Sequence, residues 1–320
     1  MEATIKPFVR FISDDQMKQF QDAALAPEGA WLRDALADPE LFFALRDERI
    51  DVYYRGRAIY SIDVSGGKVT ASTHVKYLVR DDSDPYIRMN NGTFDYRSRP
   101  YLQSDYQEKV SLRQMKAAAK TFSGVESMGV YAAIKDDPFV IDVEVAFNRS
   151  TEVTEHEDLE AVRKQDRIDV VRLRRADDGY DLVFWEAKHF SNNELFNDKI
   201  LSQLAAYEKQ LIARQDQLLK AFRNVCAFHR NLDRLRTDLG FEGTTDTHLA
   251  ILKGLADGNV PLNIVKSPSL FVFGFDNDQK GGRWKARREH IEAEIGKDRI
   301  RAIGNASEGF EPGGKKRGAR

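Results

Sequence analysis

Three charged residues sit where apolar runs end. In the stretch 182–190 (LVFWEAKHF), Glu186 and Lys188 follow directly on Leu182, Val183, Phe184 and Trp185. The stretch 167–175 (RIDVVRLRR) is a second apolar run, with Asp169 near its start. A carboxylate or an ammonium is costly to bury without a partner. Two acids and an amine converging at the edge of a core therefore need either one another or a further charge. Held a few ångströms apart, the two acids can share one hard cation, with the lysine beside the gap.

The two runs read as a β-hairpin turning at Asp178-Gly179, a favoured two-residue pair. Setting Asp177 opposite Tyr180 places Asp169 opposite Lys188 and Val171 opposite Glu186. Alternation puts Glu186 and Lys188 on the face of Leu182 and Phe184, and Asp169 on that of Val171 and Leu173. Asp169 and Glu186 are then diagonal neighbours, with Cβ atoms roughly 7–8 Å apart or less. The other faces (Ile168, Val170, Val183, Trp185, Ala187) are apolar too, as in strands buried on both sides. The same residues also allow a plain salt-bridged hairpin, Asp169 to Lys188, with Glu186 solvated. Next, the pattern predicts one long helix over 197–235, on which Gln203 and Tyr207 share a face at i and i+4. Packing at the edge of the stripe Ile200, Leu204 and Leu211 is the other reading of Tyr207.

Upstream, residues 1–48 read as helical: Asp14 and Asp15 start one helix, and Leu41, Phe42 and Leu45 mark a second amphipathic face. Residues 50–79 read as antiparallel strands around Ser65-Gly66-Gly67. Turn formers crowd 81–100 and place a domain boundary there. Ser104 and Gln107 fit a capping box for a helix. A strand over 139–147 (FVIDVEVAF) carries Glu144, and a polar connector follows over 148–166. A late strand, 269–275, precedes a charged helix over 283–299, and the tail 301–320, with Lys315, Lys316 and Arg317, has too little apolar material to fold. This order predicts an α/β (α+β) chain: a mixed β-sheet flanked by helices over 101–300, preceded by a strand-rich accessory domain over 1–100.

The 320 residues are 42% hydrophobic and 31% charged, with a net charge of −2, so any basic surface must be local. No apolar run approaches the ~20 residues that span a bilayer, and the N-terminus lacks the apolar segment of a secretory signal. The single cysteine, Cys226, excludes an internal disulfide and fits a reducing cytoplasm. Its apolar surroundings read as core rather than as a reactive thiol. Six histidines form no zinc spacing. The segment from Asp276 suggests a calcium loop but has Arg287 where a bidentate Glu is needed.

Taken together, Asp169, then Glu186-Ala187-Lys188, then Gln203-x-x-x-Tyr207 resemble the PD-(D/E)xK nuclease superfamily. The trailing Gln-x-x-x-Tyr resembles its RecB-like branch, and the layout VEVAF, RIDVVRL, LVFWEAK is similar to that branch as well. The resemblance spans residues 105–275. It implies a restriction-endonuclease-like core and a metal-dependent nuclease that hydrolyses phosphodiester bonds, with DNA preferred over RNA. Asp169, Glu186 and the backbone carbonyl of Ala187 would hold Mg²⁺ or Mn²⁺, which all-oxygen ligation suits. Lys188 would orient the attacking water or stabilise developing charge, and Gln203 and Tyr207 would position the lysine, the water or the substrate. Members of the branch often carry an upstream helical histidine as a further ligand. His74 lies in the strand-rich N-terminal region, so Glu144, ahead of Glu108 and Glu126, is the candidate in its place; an ordinary charged strand residue is the other reading of Glu144. Relatives with an extra domain act in restriction and phage defence, which extends here by analogy only.

The segment 199–236 holds eight Lys/Arg against three acids. Beside such a motif, Lys199, Lys209 and Arg214, with Arg172 and Arg174 on the hairpin, become phosphate contacts that set affinity and salt dependence rather than sequence choice. The expected partner is nucleic acid, not membrane, with a homo-oligomer or a partner protein also open. The alternative from another class is a non-catalytic nucleic-acid-binding or assembly subunit with a degenerate nuclease fold.

Overall fold

The computed structural model of the protein describes residues 7–79, 89–94, 102–147 and 166–311, which fall into two compact units. The N-terminal unit comprises 12–124 with 235–242, and the second comprises the described residues of 1–11, 125–234 and 243–320.

In the N-terminal unit, helix α1 (Asp14–Leu25) starts at Ser13, whose hydroxyl accepts from the Gln16 amide while the Gln16 side chain accepts from the Ser13 amide. This closes a capping box, and Met17, Phe20 and Ala24 form the buried stripe. After α2 (Ala30–Ala37) the helical expectation fails. Phe42–Leu45 is strand β1, paired antiparallel with β2 (Arg49–Tyr54). The i, i+3 spacing of Phe42 and Leu45 suits a helix, but sheet pairing buries Phe43, Ala44 and Leu45 together and wins over local pattern. Strand β3 (Arg57–Asp63) returns through Arg55-Gly56, both left-handed, as a tight hairpin turn requires. The short β4 (Thr70–Ser72) completes the antiparallel order β1-β2-β3-β4. Val75–Tyr77, expected as strand, is a 3₁₀ turn. Strands β5 (Met89–Asn90) and β6 (Thr93–Phe94) pair as a small hairpin.

Helix α3 (Ser111–Thr121) begins without a side-chain cap. Ser104 bonds to Asp105 instead, and the Gln107 amide donates to the Ser111 hydroxyl, so the expected capping box is not formed. The Tyr60 hydroxyl donates to Met115 Sδ at 3.3 Å. Contacts of this kind tie α3 to the N-terminal unit and move the boundary from the expected 100 to 124.

The second unit opens with α4 (Val125–Ile134), then an antiparallel meander of β7 (Val140–Phe147), β8 (Asp166–Arg175) and β9 (Tyr180–His189). Helices α5 (Lys199–Ala213), α6 (Gln215–Asp238) and α7 (Asp246–Ala256) precede β10 (Leu262–Ile264) and β11 (Ser269–Phe273), both parallel to β9. Helix α8 (Arg283–Ile295) leads to β12 (Ile300–Ile303), parallel to β11. The sheet has six strands in the order β12-β11-β9-β8-β7, with β10 beside the start of β9. The chain is therefore mixed α/β, with an antiparallel sheet in one unit and a mixed sheet in the other. The central strands β8, β9 and β11 are buried on both faces, as their continuous apolar runs imply.

Two expectations about this unit change. The single long helix is two helices broken at Arg214; the buried stripe Leu204, Tyr207, Leu211, Leu218, Phe222 keeps its phase across the break, so periodicity alone does not mark the interruption. Residues 301–311, expected within an unfolded tail, belong to the fold: β12, Ala306 and Phe310 bury apolar anchors every three or four residues. Lys315, Lys316 and Arg317 lie outside the described residues, as does most of the polar connector. Among the described residues, no helix is long and apolar enough to cross a membrane.

Candidate functional site

The β8–β9 hairpin is closed by four residues, 176–179, not two. Arg175 pairs with Tyr180, and the Ala176 amide donates to the Gly179 carbonyl at 2.9 Å. Gly179 is not in the left-handed region that a tight two-residue turn requires. It serves close approach instead, since a Cβ there would lie 2.3 Å from the Pro261 carbonyl oxygen. The expected pairing is thereby displaced by two residues: Val170 faces Trp185, and the same register carried one step on sets Asp169 opposite Glu186 rather than Lys188. A displacement of one would turn every side chain to the wrong face, but a displacement of two leaves the faces intact. Asp169, Glu186 and Lys188 remain on one face, with Asp169 directly across from Glu186 rather than diagonal to it.

Each side chain has a defined partner. Asp169 Oδ2 accepts from the Ala187 amide at 2.7 Å, so the contribution of Ala187 seen here is its N–H. Glu186, 2% exposed, accepts on Oε1 from Lys188 Nζ at 2.8 Å and from Gln203 Nε2 at 2.9 Å. Its Oε2 is buried with no hydrogen-bond partner among the described residues. Helix α5 brings Gln203 and Tyr207 to the sheet on one face: Gln203 Nε2 also donates to Tyr207 Oη at 2.6 Å, and that hydroxyl donates to the Arg167 carbonyl. Lys188, 8% exposed, is held on its other side by Glu194 Oε2 at 3.0 Å.

Burial, then the charge of Glu186, holds the Asp169 carboxyl well above the usual carboxylate range, with Glu144 adding to the shift. Burial likewise raises Glu186 to about 7, against the lowering effect of Lys188, and Glu126 pushes it the same way as burial. Burial works to lower the Lys188 ammonium, but the charge and hydrogen bond of Glu186 and the bond to Glu194 outweigh it and hold it above its ordinary value. Tyr207 is raised by burial first and stays a neutral phenol.

The two upstream acids sit differently. Glu144 lies between the paired residues Val143↔Val170 and Val145↔Ile168, so the β7–β8 register sets it across from Asp169, with a left-handed backbone (φ 54°) rare for a strand residue. Its Oε2 takes Arg167 Nη1 at 3.0 Å. Glu126, on α4, accepts on Oε1 from the His189 amide at 3.2 Å and from Asn192 Nδ2 at 2.5 Å. Glu108 is an exposed residue of the N-terminal unit, and His74 there caps a 3₁₀ turn through the Lys76 amide. The sequence reading missed Asn192 and Glu194. The signal was an Asn-x-Glu turn: Asn192 Oδ1 accepts from the Glu194 amide at 2.8 Å and so aims Glu194 at Lys188.

Of the expected phosphate contacts, Lys199 and Lys209 are exposed on α5, and Arg174 is half-exposed in a pair with Asp181. Arg172 and Arg214 are corrected. Arg172 is buried between Asp137, at 2.7 Å, and Glu311. Arg214 is buried at the helix break with its guanidinium on Gln210. Cys226 is buried, its thiol pushed up to about 12 by burial, which suits a core residue.

Among the described residues, no three His, Cys, Asp or Glu side chains converge as a ready ligand set for a metal ion. Two acids on adjoining strands do have raised proton affinity, and one carries a buried oxygen with no partner among the described residues. That pair fits a hard cation that keeps several waters and takes one or two carboxylates from protein. In comparisons with protein-family models, with curated proteins and with solved structures, none matches this chain.

Proposed function

We propose that the chain is a metal-dependent nuclease of the PD-(D/E)xK type, RecB-like branch, with a restriction-endonuclease-like core formed by the mixed sheet. One observation carries the reading. Asp169 and Glu186 stand on adjoining buried strands, Glu186 Oε2 lacks a partner among the described residues, and Lys188 is bonded to the same carboxylate. Such an arrangement holds unfavourable charge that a divalent ion would offset. The run of one helix, three antiparallel strands, helices and a strand parallel to the third also supports it.

Asp169 and Glu186 would hold Mg²⁺ or Mn²⁺, with the Ala187 carbonyl and Glu144 as the further candidates. Such an ion, when bound, supplies Lewis-acid polarisation of a phosphate and a more acidic water. Lys188 keeps its proton, so it serves as a charge rather than a base: it orients water or stabilises negative charge that develops on phosphate oxygen. Gln203 fixes the Glu186 carboxylate, and Tyr207 ties Gln203 to the β8 backbone. DNA is preferred over RNA on the strength of the resemblance alone, and a role in restriction or phage defence rests on analogy.

The test is cleavage of plasmid, linear and single-stranded DNA and of RNA with Mg²⁺ or Mn²⁺, comparing wild type with Lys188→Ala and Glu186→Gln. Loss in both variants is expected. Equal cleavage by them overturns the reading, and tight binding without cleavage under every metal favours the non-catalytic subunit instead.

A further inference from the structure

Helix α8 is charged against its own dipole. Its first six residues hold Arg283, Lys285, Arg287 and Arg288, and its later residues hold Glu289, Glu292 and Glu294. Backbone N–H groups make a helix start positive, so acids are favoured there and cations are not. No acid lies in the first turn and no side chain caps it, and Lys280 adds a further cation just upstream. Internal pairing takes up part of this charge: Arg288 bonds to Glu292 at 2.6 Å, and Arg287 to Asp198 at 2.5 Å. Lys280, Arg283 and Lys285 remain exposed. Lys280 reaches only the neutral side chain of Asn277, Arg283 lies over the Phe196 ring, and Lys285 has no partner among the described residues. Lys280, Lys285 and Arg288 line one cleft with Trp284, alongside the carboxylates of Glu289, Glu292 and Glu308, so the unpaired positive charge lies at the start of α8 rather than in the cleft as a whole.

The start of α8, where these exposed cations sit, is connected to the candidate site. Arg287 also donates to the Leu195 carbonyl, and Arg283 stacks on Phe196. Both contacts fall on the 3₁₀ turn Asn193–Phe196, whose Glu194 holds Lys188. We propose that Lys280, Arg283 and Lys285 form a docking surface for the phosphate backbone of nucleic acid, extending from the turn that carries Glu194. The identity of the polyanion rests on the nuclease reading; the surface itself rests on the charge distribution of α8. Backbone contacts of this kind supply affinity and salt dependence without base choice.

The test is a salt titration of binding to labelled duplex and labelled single-stranded DNA in chelator, so that cleavage does not intervene. The triple variant Lys280→Gln/Arg283→Gln/Lys285→Gln is compared with wild type and with a charge-matched control, Lys18→Gln/Lys68→Gln/Lys253→Gln, all three checked for equal thermal melting. Loss of three phosphate contacts lowers the slope of log affinity against log salt by roughly two to three on duplex. The affinity at about 100 mM salt is expected to fall at least tenfold, with the control unchanged. A slope equal to the control's overturns the proposal, and so does a wild-type chain that binds neither DNA. Binding through α8 with no cleavage under any metal removes the nuclease reading and keeps the surface. Cleavage with an unaltered slope does the reverse.

Discussion

Lys188 Nζ lies 2.8 Å from Glu186 Oε1, two positions back on the same strand face, and 3.0 Å from Glu194 Oε2 on the following turn. Deleting one partner of a buried pair costs about 3–5 kcal/mol, because the other charge is left uncompensated. Lys188→Met keeps the apolar stem and removes only the charge. In chelator, urea unfolding should show a loss of roughly 3 kcal/mol at pH 8 and a clearly smaller loss at pH 5, where Glu186 takes up a proton. Equal losses at both pH values would mean that the ammonium does not neutralise Glu186.

The pH dependence of the metal-free protein has a definite sign. Burial raises Glu186 from 4.5 to about 7, and Asp169 moves the same way. Between those values the folded chain binds more protons than the unfolded one, so stability falls as pH rises through that window. For Glu186 alone the loss is roughly 3 kcal/mol, at 1.36 kcal/mol per unit. Melting temperature in chelator should therefore drop from pH 5 to pH 8, and Mg²⁺ at pH 8 should restore it by mass action. Glu186→Gln should make the profile shallower, leaving the part due to Asp169, and abolish the metal effect. A flat wild-type profile sinks this account.

The convergence of the candidate residues was legible because strand and helix periods assign faces whatever the exact register. Asp169, Glu186 and Lys188 stayed together through a two-residue displacement, and Gln203 and Tyr207 through a helix break just beyond them. The turn was not legible, because Gly179 answers to Pro261, a neighbour distant in sequence. Arg172 and Arg214 were misread for a similar reason: a cation's partner is set by tertiary packing, and Asp137, Glu311 and Gln210 are not marked by any pattern around those arginines. The fold class followed from element order, whereas β1 did not, since its four residues fit a helix face equally well.

Tyr207 donates to the Arg167 carbonyl and accepts from Gln203. Tyr207→Phe removes both bonds in a buried place, which should cost about 1–3 kcal/mol. Gln203 still reaches Glu186, so cleavage should fall less than in Gln203→Ala. If Tyr207→Phe abolishes cleavage while Gln203→Ala retains it, the hydroxyl acts on substrate directly rather than through Gln203.

Arg172 joins β8 to Asp137 and to Glu311 near the end of the described chain. Arg172→Ala leaves the Asp137 carboxylate uncompensated in a largely buried place, and a loss of about 3–5 kcal/mol is expected. Glu311→Gln, at a half-exposed position, should cost under about 1 kcal/mol. DNA affinity of the folded fraction should be unchanged in both. A selective loss of affinity with normal stability would return Arg172 to the nucleic-acid surface.

Glu144 holds a left-handed backbone in the middle of β7, a conformation costing an L-residue roughly 1–2 kcal/mol and a glycine almost nothing. Strain of this kind persists where surrounding structure enforces it and tends to gather at functional sites. Comparing Glu144→Gly with Glu144→Ala separates strain from side chain, because both delete the carboxylate and its pair with Arg167. The glycine variant should be the more stable by about 1 kcal/mol, and both should cleave poorly if the carboxylate serves the metal. Equal stability would show that the backbone is relaxed there. Full activity in both would remove Glu144 from the proposed metal site.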